Sequence, residues 1–545
     1  MAVLQEAEQT LPRAATPEEV GISSQAILDL LEEYDRQGLE YHGLMILRHG
    51  KVAFETYRKP YAAEIPHSIY SFSKSIAGTA AGFAIDEGLF ALDSRLCDLF
   101  PEYRPARAPK GWDDVTIRHV LTMTTGLVFD VFHQSGAGTD WVADYLHSRL
   151  RDVPGEVYHY TNENAYLISV LIRRLTGLGM FTYLQPRLFA PLGIEVPFTE
   201  ADQAGNPAGG WGIIWKLEDS ARFIQCYLDG GKWNGQQVIP AWWAEEATKT
   251  QAENKANLKA DSNVGYGYQF WMCRLPNTFA ARGMFCQQGM AMRDHDAVFV
   301  YFGADADEQK PFEVIYPHFP RGFVAEGTAA DAKTLQALRV KAQNTRFSAP
   351  PVAKRSPLEA QLNGAVLHLR RQHFLNAIGF PLSLLPMTVN QMSLDRAGYI
   401  DAVRLDFTQG EVQFSWQEGK DGRWQLSVPL GLDGAYRTGH VALSGFSFDT
   451  YSYAHWQDDS TLALHIRPIQ SCASRTFTLC FGKRHVKMIP GSTPSFTSIA
   501  QNLNKLSYAY LNNNRLLCKF SDLCFGLAPS IMEAPLRGRL KRREP

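Results

Sequence analysis

Two hydrophobic periods divide this chain, and one gives way to the other near residue 346. In the first stretch apolar positions recur at helical spacing, as at Ile27, Leu30, Leu31 and Tyr34, a helix that Ser24 is placed to cap. Residues 43–47, the pair His49 and Gly50, and residues 52–57 read as a β-hairpin; 266–272 and 297–303 read as later strands. Helices are expected over 115–126, 165–175 and 217–228. This order predicts an α+β fold, with an antiparallel sheet from both ends of the region flanked by helices, and a helical subdomain between. Residues 347–357 (FSAPPVAKRSP) have no apolar period and read as a linker.

Beyond the linker the period becomes two. Val403, Leu405 and Phe407 alternate with polar residues, as do Val412, Phe414 and Trp416, then Leu462, Leu464 and Ile466, then Phe477, Leu479 and Phe481. Turns are expected at Gln409 and Gly410 and at Asp421 and Gly422. The division is thus a domain over 1–346, a linker over 347–357, a β-rich accessory domain over 358–496 forming a small barrel or sandwich, and an extension over 497–545 whose mixed pattern places no structure.

One helix breaks the amphipathic rule. Residues 76–85 are rich in Ala and Gly, which suits a helix buried closely between other elements, and Gly88 supplies its stop. Just before it stand Ser71 and, three residues on, Lys74. On a helix these two share a face. A serine hydroxyl needs an adjacent base to become a nucleophile, and a desolvated lysine amine has its pKa lowered enough to serve or assist. Backbone N–H groups at such a helix start are placed to stabilise an oxyanion. In a chain this long about one such serine–lysine pair arises by chance, so the pair alone does not decide the matter. Tyr160, Thr161 and Asn162 fall at a loop-to-helix junction, where side chains project into clefts; a cation near Tyr160 favours its phenolate, a role Lys74 can fill. His119, on a short helix, reads as structural.

Composition narrows the partners. A net charge of −2 leaves no electrostatic footprint for nucleic acid, and the basic run Arg537, Arg539, Lys541, Arg542, Arg543 reads as a solvated terminus. No apolar stretch reaches the roughly 18 residues of a membrane span, and no membrane partner is expected. The eight cysteines show no CxxC and no ligand spacing with histidine, which predicts free thiols in a reducing cytoplasm, without metal or other cofactor. Oligomeric state is open.

With SFSK at Ser71 to Lys74 and YTN at Tyr160 to Asn162, the region of roughly 17–305 resembles the serine hydrolases of the class C β-lactamase and penicillin-binding-protein superfamily, which also holds esterases, D-aminopeptidases and oligomer-hydrolysing amidases. IYSFSKSIAGTAAGFAIDEG, TIRHVLTMTTGL, PGEVYHYTNENAYLISVLIRRLTG and GGWGIIWKLEDSARFIQCYLDGGKWNGQQVIP stand in the family's order and spacing. The resemblance implies a β-lactamase/transpeptidase-like fold. It also implies Ser71 as the acylated nucleophile, Lys74 and Tyr160 as acid and base, and Asn162 orienting the substrate and the lysine. The oxyanion hole would combine the N–H of Ser71 with one from the strand edge near 287–290.

The third family motif departs from the pattern. Where relatives carry KTG, HxG or a glycine-bearing variant, this chain has Arg282, Gly283, Met284, Phe285, Cys286 and Gln287, with Cys286 where glycine is common. Phe285, Cys286 and Gln287 are the expected substrate-binding residues here. Without the family's lysine, which offers a cation to a substrate carboxylate, a neutral small ester or amide is expected; Arg282 and Arg293 are the substitutes within reach. The alternatives are a β-lactamase or D-aminopeptidase activity, or a catalytically weakened binding protein.

Overall fold

The computed structural model describes residues 10–128, 140–196, 198–254, 261, 263–370, 400–418, 426–443, 446–510 and 514–539. The chain divides into two compact units, Met1–Arg58 with Ala62–Thr345, and Lys59–Tyr61 with Arg346–Pro545.

The first unit is built on a six-stranded antiparallel sheet in the order Trp271–Met272, Thr278–Gly283, Gln287–Met292, Ala297–Gly303, Tyr41–Arg48, Lys51–Tyr57. Strands from the two ends of the region pair directly, with Leu44 opposite Tyr301 and Ile46 opposite Phe299. The hairpin turns through His49 and Gly50, both left-handed with φ of 52° and 70°, the geometry whose twist matches that of the flanking strands. Helix Ser24–Arg36 buries Ile27, Leu30, Leu31 and Tyr34 in one core with Phe299 and Tyr301. Its cap is Ser23, which accepts from Ala26 N at 3.4 Å, while Ser24 turns inward and donates to Glu18 Oε2 at 3.0 Å.

Helix Ser73–Asp86 is buried along nearly its whole length. Its small residues permit this: a methyl on Gly82 would lie 2.4 Å from the Trp243 ring, and one on Gly78 3.0 Å from Gln269 Cβ. Helix Glu163–Thr176 stops at Gly177, with φ of 73°. Two elements differ from expectation. The helix over 115–126 is confined to Ile117–Leu121, because Thr122 and Thr124 bond each other at 2.7 Å around Met123, whose φ is 61°. The strand over 266–272 is confined to Trp271–Met272: Tyr268 N and Gln269 N donate to Ala247 O and Leu121 O, and Ser75 Oγ donates to Gln269 O, so this backbone is bonded outside any ladder.

The second unit is a closed nine-stranded barrel. Around the ring run Leu426–Gly431, Glu411–Glu418, Ile400–Phe407, Ala365–Arg370, Leu536–Arg539, His485–Thr493, Ser474–Phe481, Thr461–Pro468 and Phe446–Asp458; Gly431 opposite Tyr453 closes it, and Arg437–Leu443 pairs outside the ring. The alternating residues point inward: Val403, Leu405, Val412, Phe414, Trp416, Leu462, Leu464, Ile466, Phe477 and Leu479 are all buried. Leu536–Arg539, from the segment whose pattern places nothing, inserts between Ala365–Arg370 and His485–Thr493. It follows a hairpin of two helices, Phe496–Tyr510 and Arg515–Met532. Residues flanking the barrel are tied to it: Tyr61 OH donates to Ser471 O at 3.3 Å, Tyr436 OH to Ser348 O at 2.9 Å, and Arg355 to Gln409 O at 2.6 Å. The turn at Asp421 and Gly422 lies outside the described residues.

Candidate active site

Ser71 sits in a 3-10 turn, Tyr70–Phe72, that runs into helix Ser73–Asp86. Tyr70 holds φ at 47°, a left-handed conformation that costs a non-glycine residue about 1 kcal/mol or more and persists only where its surroundings enforce it. Here Ser73 Oγ donates to Tyr70 O at 2.6 Å, and the Tyr70 ring meets Phe285 edge-on at 5.4 Å. Phe72 plugs the core between Trp215 and Phe223. The turn therefore leaves the Ser71 side chain half-buried at the surface of the core.

Lys74, one turn on, is 1% exposed. Its Nζ lies 2.9 Å from Ser71 Oγ, donates to Asn162 Oδ1 at 2.7 Å and to Gly210 O at 2.9 Å. Burial pushes the amine down to about 7, and the Glu163 and Glu308 carboxylates only partly oppose this. The amine's three partners are all oxygens, which take the three N–H groups of the ammonium form; in the neutral form the contact with Ser71, a hydroxyl, is the one that can reverse. Gly210 is a glycine because of this contact, since a methyl there would fall 3.0 Å from Asn162 O and 3.4 Å from Lys74 Nζ. Sequence reasoning saw only a glycine-rich turn at this point.

Tyr160 comes to the same place. Lys74 Nζ lies 4.7 Å from the centroid of its ring, and the Trp271 ring packs on it at 5.4 Å. Trp271 also packs against Tyr158 and Tyr266, so an aromatic wall stands beside the amine. Trp271 and this wall were missed, because the residues are scattered over two segments and share no period. Asn162 is the residue before helix Glu163–Thr176, which fixes its amide toward Lys74.

The third stretch is arranged differently. Phe285 and Cys286 turn the chain between strands Thr278–Gly283 and Gln287–Met292, both left-handed with φ of 61° and 71°. Phe285 is buried against Tyr70. Cys286 is buried in the sheet core with Sγ toward Asp305 O and Asp307 O, and Gln287 donates to Phe285 O at 2.9 Å and Gly303 O at 2.8 Å. Residues 287–290 lie on an interior strand, and a methyl on Gly289 would meet Ile224 and Phe72. What approaches the Ser71 turn is the end of Thr278–Gly283: a methyl on Gly283 would fall 2.1 Å from Ile69 O. The Arg282 guanidinium lies over the rings of Trp271 (5.5 Å) and Phe312 (5.0 Å), while Arg293 lies over Phe279 and donates to Thr248 O. His119 Nδ1 accepts from Thr116 N, at the start of its own helix. Among the described residues no group of three or more His, Cys, Asp or Glu is arranged to hold a metal ion, and no single helix is long and apolar enough to cross a membrane.

A buried lysine between a serine, an asparagine and a tyrosine, on a helix behind an antiparallel sheet, defines a class, and the comparison with known proteins agrees. The chain belongs to the Beta-lactamase family, whose model matches residues 24–316. It is 27% identical over 284 residues to the 6-aminohexanoate-dimer hydrolase of Paenarthrobacter ureafaciens, covering 47% of this chain and 71% of that one. It is 24% identical over 243 residues to a Beta-lactamase of Escherichia coli (strain K12), covering 39% of this chain and 63% of that one. A solved penicillin-binding protein homolog from Caulobacter crescentus superposes with a TM-score of 0.45 at 17% identity, over 55% of this chain and 99% of that one.

Proposed function

We propose that this protein is a hydrolase that forms an acyl-enzyme on Ser71 and acts on a neutral small ester or amide. The observation that carries the reading is the Lys74 amine, desolvated, with Nζ 2.9 Å from Ser71 Oγ and its N–H groups engaged by Asn162 and Gly210. In the neutral form the amine takes the hydroxyl proton as Ser71 attacks the carbonyl carbon, and the tetrahedral intermediate forms. Tyr160, beside the same amine, relays that proton to the leaving alcohol or amine and then activates the water that releases the acid. Asn162 holds Lys74 in place. The intermediate's oxyanion is assigned to the N–H of Ser71 and an N–H from the 283–284 end of the strand next to the turn. Phe285, Cys286 and Gln287 shape that end from behind. No lysine stands on the strand to pair with a substrate carboxylate, and Arg282 is already stacked on two rings, which favours the neutral substrate over a β-lactam or a D-amino-acid derivative. The cytoplasm is proposed as the location, a reading with which the free cysteines among the described residues are compatible.

The test is intact-mass analysis after a fluorophosphonate, with p-nitrophenyl acetate and nitrocefin turnover measured in parallel. A single adduct and acetate cleavage in the wild type, both lost in Ser71→Ala, are expected; Ser71→Ala lowers turnover by about 10⁶-fold. Faster nitrocefin than acetate turnover moves the activity to β-lactams. No adduct and no turnover replaces the reading with a ligand-binding cleft.

A further inference from the structure

Helix Arg515–Met532 has the sequence RLLCKFSDLCFGLAPSIM, apolar on more than one face. Its inner face packs on the partner helix of the hairpin: Ser521 is buried and donates to Asn504 Oδ1 at 2.6 Å, and Asn504 Nδ2 donates to Asp522 Oδ1 at 2.7 Å. The opposite face is in water. Leu516, Leu517, Phe520, Leu523 and Leu527 are 48–79% exposed, whereas other exposed large apolar side chains among the described residues are scattered one or two at a time. At 100° per residue the five occupy a continuous arc of about 120°, with Lys519 about 40° and Arg515 about 80° beyond its edge at Leu523. An apolar stripe of this kind on a soluble surface marks a site of association.

We propose that this helix lies on a bilayer surface carrying anionic lipid, with Leu516, Phe520, Leu523 and Leu527 in the acyl boundary and Arg515 and Lys519 at the headgroups. Charge selects this occupant. Lys519 and Arg515 lie beyond one edge of the stripe with a single acidic residue, Asp522, which is exposed and accepts from Asn504, and the next strand exposes Arg537 and Arg539. Size argues against a second copy. A helix of 18 residues offers a strip about 27 Å long and about 10 Å wide, well short of the roughly 800 Å² per partner that a stable dimer buries. Arg515, Lys519 and Asp522 also break the run too often for a span, so the helix lies in the interface and does not cross it.

Flotation of the full chain with vesicles of phosphatidylcholine, alone or with about a third phosphatidylglycerol, tests this. Wild type is expected to float with the anionic vesicles and lose most of that binding at high salt. Phe520→Ser combined with Leu523→Ser lowers the bound fraction about tenfold. Arg515→Glu combined with Lys519→Glu removes the preference for phosphatidylglycerol. Both pairs replace exposed side chains, and an unchanged melting curve shows that the fold is kept. Wild type that stays with neither vesicle, or that floats equally after the Phe520 and Leu523 changes, overturns the proposal. So does a dimer seen by sedimentation that these changes dissolve while no vesicle binding is found.

Discussion

Around Lys74 the first unit buries an amine bonded to a side-chain amide and a main-chain carbonyl; inside the barrel Phe414, Trp416, Leu464 and Phe477 are buried, with the Phe414 ring against those of Trp416 and Phe477. In the barrel desolvation is mainly a driving force, because most of the buried side chains are apolar, although Thr450, Ser452 and Arg475 are buried there too. At Lys74 desolvation is a cost that lowers the proton affinity of an amine, as the proposed role of a base requires. The cost is met by rigid neighbours: the left-handed Tyr70, the close glycine at 210, and a helix in which Gly82 lets Trp243 approach and Gly78 lets Gln269 approach. Arg475, a deeply buried charge of the barrel, is different in kind, for it is paired with Glu533 and neutralised in place.

Substitutions that remove chemistry and substitutions that remove packing separate these interiors. Tyr160→Phe is expected to lower kcat/KM by about 10² to 10⁴ with an unchanged melting temperature; full activity in this variant removes Tyr160 from the proton path. Trp416→Ala in the barrel is expected to cost about 3–5 kcal/mol in the unfolding of the second unit, read by calorimetry, while fluorophosphonate labelling of Ser71 still reaches one equivalent. Loss of labelling would show that the first unit depends on the barrel. Gly82→Ala drives a methyl to 2.4 Å from Trp243 and is expected to destabilise the first unit by about 1–3 kcal/mol in urea titration. Gly210→Ala touches only the amine and Asn162, and is expected to slow turnover about tenfold while stability moves by less than about 0.5 kcal/mol.

The finest comparison is by pH. In the folded protein the Lys74 amine is pushed from 10.5 down to about 7. Between these values the unfolded chain holds a proton that the folded one lacks, so folding stability rises with pH across that window, and the gain disappears as pH falls through about 7. Measured against Lys74→Met, wild type is expected to gain about 1 kcal/mol between about pH 7 and pH 8. The same titration makes kcat/KM fall below about pH 7. A difference flat in pH shows that the amine is charged in both states.

Local pattern was enough for much of this protein. The serine–lysine spacing and the YTN triplet named Ser71, Lys74, Tyr160 and Asn162, and the structure brings Lys74 against the other three, because each motif is held by the start of its own helix. Alternation named the inward side chains of the barrel strands, because side chains on a strand change sides at every residue whatever the strand pairs with. Tertiary structure decided the rest. Whether those strands form a sandwich or a barrel rests on one pairing, Gly431 with Tyr453, between segments with no local signal for each other. The strand Leu536–Arg539 exists only because two edges stand open for it. Cys286 and Gln287, adjacent to a motif position in sequence, are turned into the sheet core by the left-handed pair at 285 and 286. Lys74 is desolvated only where distant parts of the chain, Asn162 and Gly210 among them, pack around it. Spacing places a side chain on a face; only packing decides what that face meets.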